Sequence, residues 1–359
     1  MKRIKVKVVV SVMCLFLIGV AVFFVVPSAG AATEKPITLS CTVHYPPPPP
    51  APAKIYAEHL ILIRWAKEVE ARTEGRVKVK YHYGSVLGKP MDFVRMVGGK
   101  GVADMGNIVG VFHQWELPLF AGIHQPFLTT GVETPMKASW RLYQEWAPMR
   151  EEWVKHNLKP LWWYVTDPYY MVIGKQISTL DDIKGLKIYG PGSFAGIVKR
   201  FGAVPTFIPG PEAYEALQRG VLDGLVFPFS PIKSFRFYEV RKVFVDFTFA
   251  GSQAACAMAI NQDVWNKISP KDQRALEELS AEMPSYYLKY FRETEEDVFK
   301  FFKSNGVTFI RLAPEEESRV KERCAQEMWS EWITLAEQKG VPAKEFLDRY
   351  KAIVKEVTR

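Results

Sequence analysis

Aromatic side chains form the densest group of potentially functional residues in the sequence. Five of them fall between positions 162 and 170: Trp162, Trp163, Tyr164, Tyr169 and Tyr170. Strand alternation predicts that half of these side chains pack in a core. Those on the other face, beside the turn at Asp167-Pro168, are expected to line a cleft and contact a ligand there. Phe227 and Phe229 follow a predicted strand end and favour the same interpretation.

A glycine-rich turn offers a second kind of chemistry. The segment GPGSFAG, residues 190–196, precedes a predicted helix with Ser193 at its N-cap. A turn of this kind presents free backbone N–H groups, which favour an anion. Its third glycine is one place late for a dinucleotide-binding loop, and Asp223 lies too far along the chain for a ribose contact. A plain turn and N-cap is the alternative interpretation.

Patterns for catalysis or metal binding are missing from the sequence. It contains no HExxH, paired CxxC, GxSxG or P-loop motif. Its six histidines are scattered, and its carboxylates are not clustered as an acid–base pair requires. We therefore expect no catalytic residue, no bound metal and no cofactor.

Composition and charge narrow the class of protein. The chain has 359 residues, of which 48% are hydrophobic, so it can bury a core and is not a disordered chain. Its length predicts about two domains. The net charge is +8, but four basic residues lie in the first seven positions and leave 43 basic against 39 acidic residues. So small a balance gives no support for a nucleic-acid partner.

The first 32 residues have the layout of a secretory signal peptide. A basic start is followed by an uncharged apolar run over 8–26 and by the small residues of 28–32. We predict export to the periplasm, with the signal peptide at 1–32 cleaved to give a mature N-terminus near Thr33. An uncleaved anchor helix is the alternative, because the run is about long enough to span a bilayer.

Cysteine usage gives no disulfide framework. Cleavage of the leader leaves Cys41, Cys256 and Cys324, an odd number at wide spacing. We expect small buried apolar side chains, and one disulfide bridge remains an open alternative.

Strands and helices alternate along the rest of the chain, which predicts largely parallel sheets. One helix is expected over 134–156, and a long one over 270–304 with a kink at Pro284. A helix of that length exceeds one small domain and could lie across two lobes. The absence of a long flexible linker favours two α/β lobes joined by crossing strands.

Several spaced motifs resemble the solute-binding proteins of TRAP transporters. They are DDIKGLKIYGPG (181–192), FGAVPTFIPGPEAYEALQRGVLDG (201–224), TEGRVKVKYHYGSVLGK (73–89), GGKGVADMG (98–106) and PFL (126–128). The resemblance runs from about Ile37 to about Ser304. Each piece alone is weak, but the spaced set is specific.

The resemblance implies the two-lobe fold of periplasmic binding proteins, in which each lobe is a mixed sheet flanked by helices. Hinge strands and a long helix cross both lobes, and closure around the ligand is the usual mode of action. The implied first lobe comprises 33–166 and 253–295. The implied second lobe comprises 167–252 and 296–359.

The departures from the family pattern concern the ligand. Carboxylate-binding members carry an arginine where this chain has Tyr189, and a second arginine falls on Tyr169. A polar residue of many members falls on Phe227. Tyrosine cannot supply the charged, bidentate fork of arginine. The ligand is therefore expected to be an aromatic or otherwise less polar acid, or a neutral solute.

The expected ligand contacts are aromatic with a few polar partners. If the ligand is an acid, the helix end at Ser193 or the side chain of Arg95 is the expected anion partner, with the helix end favoured. The full set of expected ligand-binding residues is Tyr169, Tyr189, Phe227, Ser193, His44, Tyr45, Trp163, Asn107 and Arg95.

The sequence and the resemblance together predict a periplasmic receptor that captures a small organic solute for import. Its expected partners are the solute and the membrane subunits of a TRAP permease, and the expected state is a monomer. A ligand-sensing module for a signalling receptor is the main alternative, and a secreted enzyme is the less favoured one.

Overall fold

A computed structural model describes residues 36–49, 57–99, 101–208, 210–251 and 253–358, and the backbone alone at 210 and 211. The predicted signal peptide at 1–32 lies outside the described residues. The strands are β1 (Ile37–Thr42), β2 (Val77–His82), β3 (Met105–Val109), β4 (Leu158–Val165), β5 (Tyr169–Ile173), β6 (Lys187–Tyr189), β7 (Val204–Pro205), β8 (Gly224–Pro228), β9 (Val243–Asp246), β10 (Ala255–Asn261) and β11 (Thr308–Ile310).

The strands alternate with helices of very different lengths. The helices are α1 (Ala57–Arg72), α2 (Phe93–Gly98), α3 (Pro118–Gly122), α4 (Glu133–Glu145), α5 (Ala147–Val154), α6 (Ser193–Arg200), α7 (Gly210–Gln218), α8 (Phe229–Ser234), α9 (Gln262–Trp265), α10 (Pro270–Ser304), α11 (Pro314–Glu337) and α12 (Ala343–Val357).

The first lobe is built on a five-stranded sheet of order β2-β1-β3-β10-β4. β1 runs parallel to β2 and β3, whereas β10 runs antiparallel to β3 and β4. Every residue of β10 is buried, and its sequence ACAMAIN is an almost unbroken apolar run. Such runs are typical of strands covered on both faces.

The second lobe is built on a six-stranded sheet of order β11-β9-β5-β8-β6-β7. β5 lies antiparallel to both neighbours, and the remaining pairs are parallel. Two apolar clusters cover this sheet, one around Phe194 and Met171 and the other around Phe229 and Phe302. The expected mixed α/β fold with two lobes is confirmed.

The helix α10 joins the two lobes. Its first half buries Leu276, Met283 and Tyr287 in the core of the first lobe. Its last turns bury Val298 and Phe302 in the second lobe. At 35 residues and about 1.5 Å per residue, the helix is about 50 Å long, enough to reach across both cores. The expected crossing helix is therefore present.

Side-chain contacts explain where α10 begins and how it is held. The Ser269 hydroxyl accepts a hydrogen bond from the N–H of Asp272 at 3.2 Å, and Pro270 occupies the first turn. The Asp272 carboxylate in turn accepts hydrogen bonds from Arg76 at 2.9–3.2 Å. Further along α10, Arg72 binds Glu282 through two hydrogen bonds of 2.8 Å.

Two short segments, from β4 to β5 and from β9 to β10, also carry the chain between the lobes. The two segments bind each other: Thr166 donates its N–H to the carbonyl of Ala254 at 2.9 Å, and Ala254 donates to the Thr166 hydroxyl at 3.1 Å. Asp167 in the first segment is fully buried and accepts a hydrogen bond from the N–H of Ser230 at 2.8 Å. These paired segments form the hinge.

Two expectations differ from the structure. The helix expected over 134–156 is two helices, because Trp146 adopts an extended conformation and Pro148 starts a new helix, α5. The expected second lobe included all of 296–359. In the structure α12 instead packs on α4, and its buried residues Phe346, Leu347 and Tyr350 belong to the core of the first lobe.

Candidate functional site

A cavity of about 700 Å³ lies between the two lobes, and residues of both lobes line it. The first lobe contributes the segment after β1, the turn at 85–91 and the segment that ends β3. The hinge contributes Thr166, and the second lobe contributes the ends of β5, β6 and β8 with the start of α8. A volume of this size suits a small organic ligand.

Aromatic rings from three strands form the wall that the second lobe contributes. Tyr169 begins β5, Tyr189 ends β6, and Phe227 lies on β8. The ring centroids of Tyr189 and Phe227 are 6.2 Å apart, and Phe207 lies 5.9 Å from Tyr189 at the cavity edge. The centroid of the Tyr169 ring lies 4.6 Å from that of Phe194, with the two ring planes tilted by 31°. The sheet therefore brings together three rings that are far apart in sequence.

Burial determines the chemistry of the two tyrosines in this wall. Both side chains are 2% exposed. Burial raises the pKa of Tyr169 and of Tyr189 above the ordinary phenol value, because an ionised phenol would lose its hydration. Both phenols therefore stay neutral near pH 7. They can donate or accept a hydrogen bond but cannot neutralise a carboxylate.

Polar side chains of the first lobe form the opposite wall. His44 and Tyr45 directly follow β1 and line the cavity, and Asn107 lies buried beneath them on β3. The amide nitrogen of Asn107 donates to the Tyr164 hydroxyl at 3.4 Å, which donates to the Tyr45 hydroxyl at 3.3 Å. This chain of hydrogen bonds fixes the amide and the two phenols.

Two atoms in this wall have no hydrogen-bond partner among the described residues: Nδ1 of His44 and Oδ1 of Asn107. Burial, opposed by the nearby Asn107 amide, lowers the pKa of His44 to about 4. The imidazole is therefore neutral near pH 7. His44 and Asn107 offer hydrogen bonding without charge.

Charged side chains are sparse around the cavity. Of its described lining residues, Lys89 is the one cation and Glu212 the one carboxylate. Lys89 comes from the first lobe and Glu212 from the start of α7 in the second, and both are exposed. The structure shows no ion pair for either within the described part of the chain. Sequence analysis missed both, although Lys89 ends one of the motifs that carried the resemblance.

Four expected ligand contacts do not line the cavity. Asn107 lies behind His44, as described above. Trp163 is fully buried in the first lobe, where its Nε1 donates to the Ser139 hydroxyl at 3.1 Å. Arg95 is a surface side chain that pairs with Asp92. Ser193 donates its hydroxyl to the carbonyl oxygen of His124 at 2.8 Å.

The Ser193 contact belongs to a wider junction between the lobes. His124 follows α3 of the first lobe, and its ring lies 5.6 Å from Phe194 and 6.0 Å from Tyr169 in the second lobe. Gly192 packs directly on this ring with φ of 52° and ψ of −125°. A Cβ added there would overlap the imidazole and lie 3.1 Å from Cγ1 of Val111. Only glycine fits this junction without strain.

Other expectations concern cysteines, metals and membranes. Cys41, Cys256 and Cys324 are free thiols, and all three are buried. No group of acidic, histidine and cysteine side chains suited to a metal occurs in the described part of the chain. Among those same residues, no helix combines the length and apolar character needed to cross a bilayer.

Two α/β lobes, a hinge of paired crossing segments and a cavity between the lobes define the class of two-lobe solute-binding proteins. The family model for bacterial extracellular solute-binding proteins, family 7 (DctP), matches residues 52–334. The chain belongs to this family. The membership expected from the motifs is confirmed, and with it the role of a TRAP-type solute-binding receptor.

Individual relatives agree in sequence and in fold. The chain is 27% identical over 296 residues to the protein TsaT of Comamonas testosteroni, named an outer membrane transporter protein, and the match covers 82% of this chain and 86% of TsaT. A TRAP periplasmic solute binding protein from Desulfovibrio salexigens superposes with a TM-score of 0.73 at 26% identity, covering 89% of this chain and 96% of that one.

A third relative is a TRAP solute binding protein from Rhodoferax ferrireducens, solved in complex with copurified benzoate. Its TM-score is 0.77 at 20% identity, and the match covers 89% of this chain and 98% of that chain. Both solved structures are TRAP solute-binding proteins by name.

Proposed function

We propose that this receptor captures a small organic acid with an aromatic or largely apolar body and presents it to the membrane subunits of a TRAP permease. The observation that carries the proposal is the composition of the cavity wall. Tyr169, Tyr189 and Phe227 supply flat apolar faces, and two of them stand where the family resemblance expects arginines. A strongly hydrated dicarboxylate would lose its water in such a wall without gaining the usual two cations.

The proposed contacts divide between the lobes. Tyr169, Tyr189 and Phe227 pack on the ring or apolar body of the ligand. His44 and Tyr45 bind its polar groups from the first lobe, and the phenols of the second lobe can add hydrogen bonds. Asn107 acts through His44, as a positioning residue. The proposed direct contacts do not include Trp163, which packs in the core, or Arg95, which lies on the surface. They also do not include Ser193, whose hydroxyl is bound at the lobe junction.

Closure of the lobes around the ligand is the proposed mechanism. The hinge segments at Thr166 and Ala254 can change their dihedral angles while the two sheets move as rigid bodies. A ligand that contacts both walls stabilises the closed arrangement by the amount that it binds the closed form more tightly than the open one. The closed form is then the form that a permease can distinguish from the empty receptor.

The proposed site of action is the periplasm, with the chain exported through its N-terminal leader and acting as a monomer. Mass spectrometry of the exported protein should find a mature N-terminus within a few residues of Thr33. Recovery of the intact first 20 residues would contradict cleavage and favour an anchor.

The ligand class is tested by thermal shift with purified mature protein. Benzoate, 3-hydroxybenzoate and benzamide serve as aromatic probes, and succinate and malate as dicarboxylates. A ligand that binds only the folded state raises the melting temperature. We expect a rise with the aromatic acids at concentrations where the dicarboxylates give none. The proposed ligand class would be overturned if only the dicarboxylates raised the melting temperature. It would also be overturned if none of the aromatic probes raised it.

A further inference from the structure

We propose that Lys89 is the residue that binds the ligand carboxylate and that the receptor therefore selects monocarboxylates. The proposal rests on the proposed function, since it assumes an acid ligand in the cavity between the lobes. It moves the acid-binding cation from the second lobe, where the family resemblance expects it, to a turn of the first lobe.

The need for a cation follows from the cavity wall. A carboxylate enclosed by aromatic rings loses its hydration and must be compensated by charge or by several hydrogen bonds. The phenols of Tyr169 and Tyr189 are neutral. His44 is neutral as well near pH 7. Of the described lining residues, only Lys89 carries a positive charge.

The other candidates for an anion site are already engaged. The guanidinium of Arg95 faces the surface and pairs with Asp92. At the start of α6, Ser193 donates its hydroxyl to His124, and the N–H of Phe194 donates to the Pro191 carbonyl at 3.1 Å. The His124 ring covers Gly192 on the side of the first lobe. At the helix end expected from sequence, one backbone donor is therefore used within the turn and the serine hydroxyl is used across the lobe junction.

The backbone of Lys89 is fixed with respect to the polar wall. The turn before it is bonded to the end of β1, since Ser85 donates its N–H to the Val43 carbonyl at 3.0 Å and Gly84 donates to the Tyr45 carbonyl at 2.6 Å. Gly88 closes the turn by donating to the Ser85 carbonyl at 3.1 Å. The side chain itself is exposed and lines the cavity, and its ammonium group is carried on a flexible stem of four methylenes.

The preference for one carboxylate follows from Glu212. This side chain lines the cavity from the second lobe, so a second carboxylate on the ligand would meet a negative charge and no second cation. Like charges in a partly desolvated site repel more strongly than in water. A ligand with one carboxylate and an apolar body can pair its charge with Lys89 without placing a second negative charge near Glu212.

A rival arrangement uses the same two residues. Lys89 and Glu212 come from opposite lobes, and closure could pair them as a latch across the mouth of the cavity. The latch would stabilise the closed form with any ligand, so neutralising either residue would weaken acids and neutral analogues alike. Direct binding predicts that only Lys89 matters and only for acids.

The experiment measures the dissociation constants of benzoate and benzamide by calorimetry for five proteins. They are the wild type and the variants Lys89→Met, Lys89→Arg, Glu212→Gln and Lys80→Met. Methionine keeps the length of the lysine stem without its charge. Lys80 is an exposed lysine on the edge strand β2, outside the cavity, and serves as the matched control.

We expect Lys89→Met to weaken the affinity for benzoate at least about tenfold. Its affinity for benzamide should stay within about twofold of the wild-type value, because only the acid interacts with the lysine charge. Lys89→Arg keeps most of the preference for the acid, and Lys80→Met matches the wild type. Glu212→Gln leaves benzoate unchanged or tighter.

Three results would overturn the proposal. If Lys89→Met binds benzoate with unchanged affinity, Lys89 does not bind the carboxylate, while the proposed function stands. Equal losses for both probes in Lys89→Met and Glu212→Gln establish the latch. A wild type that binds neither probe refutes the proposed ligand class, and the role of Lys89 falls with it.

Discussion

Replacing Gly192 with alanine is expected to weaken ligand binding without unfolding the protein. Two separate costs arise. The backbone at Gly192, with φ of 52° and ψ of −125°, lies in a region that only glycine occupies freely, so the alanine carries strain of about 1–3 kcal/mol. The new methyl group would also overlap the His124 ring. The strain is local to the turn, whereas the overlap exists only while the two lobes meet at this junction.

The overlap cannot be relieved cheaply. His124 is 3% exposed and lies against the rings of Tyr169 and Phe194, so its side chain has no open space to enter. Forcing one extra methyl group into packed surroundings costs about 1–3 kcal/mol. If the ligand binds with the lobes in contact, that amount is lost from the binding free energy. The expected loss of affinity is about 5–150-fold.

Gly185→Ala is the matched control. Gly185 also has a positive φ, of 78°, but a Cβ there meets nothing within 4 Å. Both variants should lose stability in urea denaturation, and only Gly192→Ala should lose affinity for benzoate in calorimetry. Small-angle scattering should show a larger radius of gyration for Gly192→Ala in the presence of ligand. Wild-type affinity in Gly192→Ala would refute the view that this junction belongs to the ligand-bound arrangement.

Further predictions address the wall, the core and a buried histidine. Tyr189→Ala should weaken benzoate about tenfold or more through the lost ring contact and hydrogen bond, and unchanged calorimetry would remove Tyr189 from the site. Trp163→Phe should lower the free energy of unfolding by about 1–3 kcal/mol, because the buried Ser139 hydroxyl loses its donor, and should leave the affinity for benzoate unchanged. Weaker binding in this variant would indicate that Trp163 contacts the ligand after all. Burial lowers the pKa of His113 to about 4, so the unfolded chain takes up the proton first, and stability falls as pH drops from about 6.5 towards 4. His113 contributes at most about 3 kcal/mol to this loss of stability. In urea denaturation, His113→Gln should therefore lose less stability between pH 7 and pH 5 than the wild type. Equal losses in the two proteins would contradict the lowered pKa of His113.

Local signals predicted the long elements well. The bounds expected for α10 match the structure, because Ser269 and Pro270 mark its start and its apolar residues recur at helical spacing. The short strand β9 is harder to find from sequence, although Val243, Phe244 and Val245 form a short apolar run of the kind that marks a buried strand. Strands of three or four residues carry too little pattern to stand out. Their place is decided by the neighbours with which they pair.

Alternation misjudged the aromatic run between 162 and 170. A strand covered on one face would bury half of these side chains, but Trp162, Trp163 and Tyr164 are all fully buried. The reason is tertiary, since α10 covers one side of β4 while α4 and α5 cover the other. Only Tyr169, past the hinge, reaches the cavity. Sequence alone could not tell a strand covered on one face from one covered on both.

By itself the sequence determined the family, and it places tyrosines, Tyr169 and Tyr189, where the resemblance expects arginines, because these are matters of residue type at marked positions. Which cation reaches the cavity was decided by the tertiary structure. Arg95 and Lys89 are six residues apart, yet the turn bonded to β1 directs Lys89 to the cavity while the short helix α2 leaves Arg95 on the surface. Charge is a property of a residue, but access to a ligand depends on the backbone that holds it.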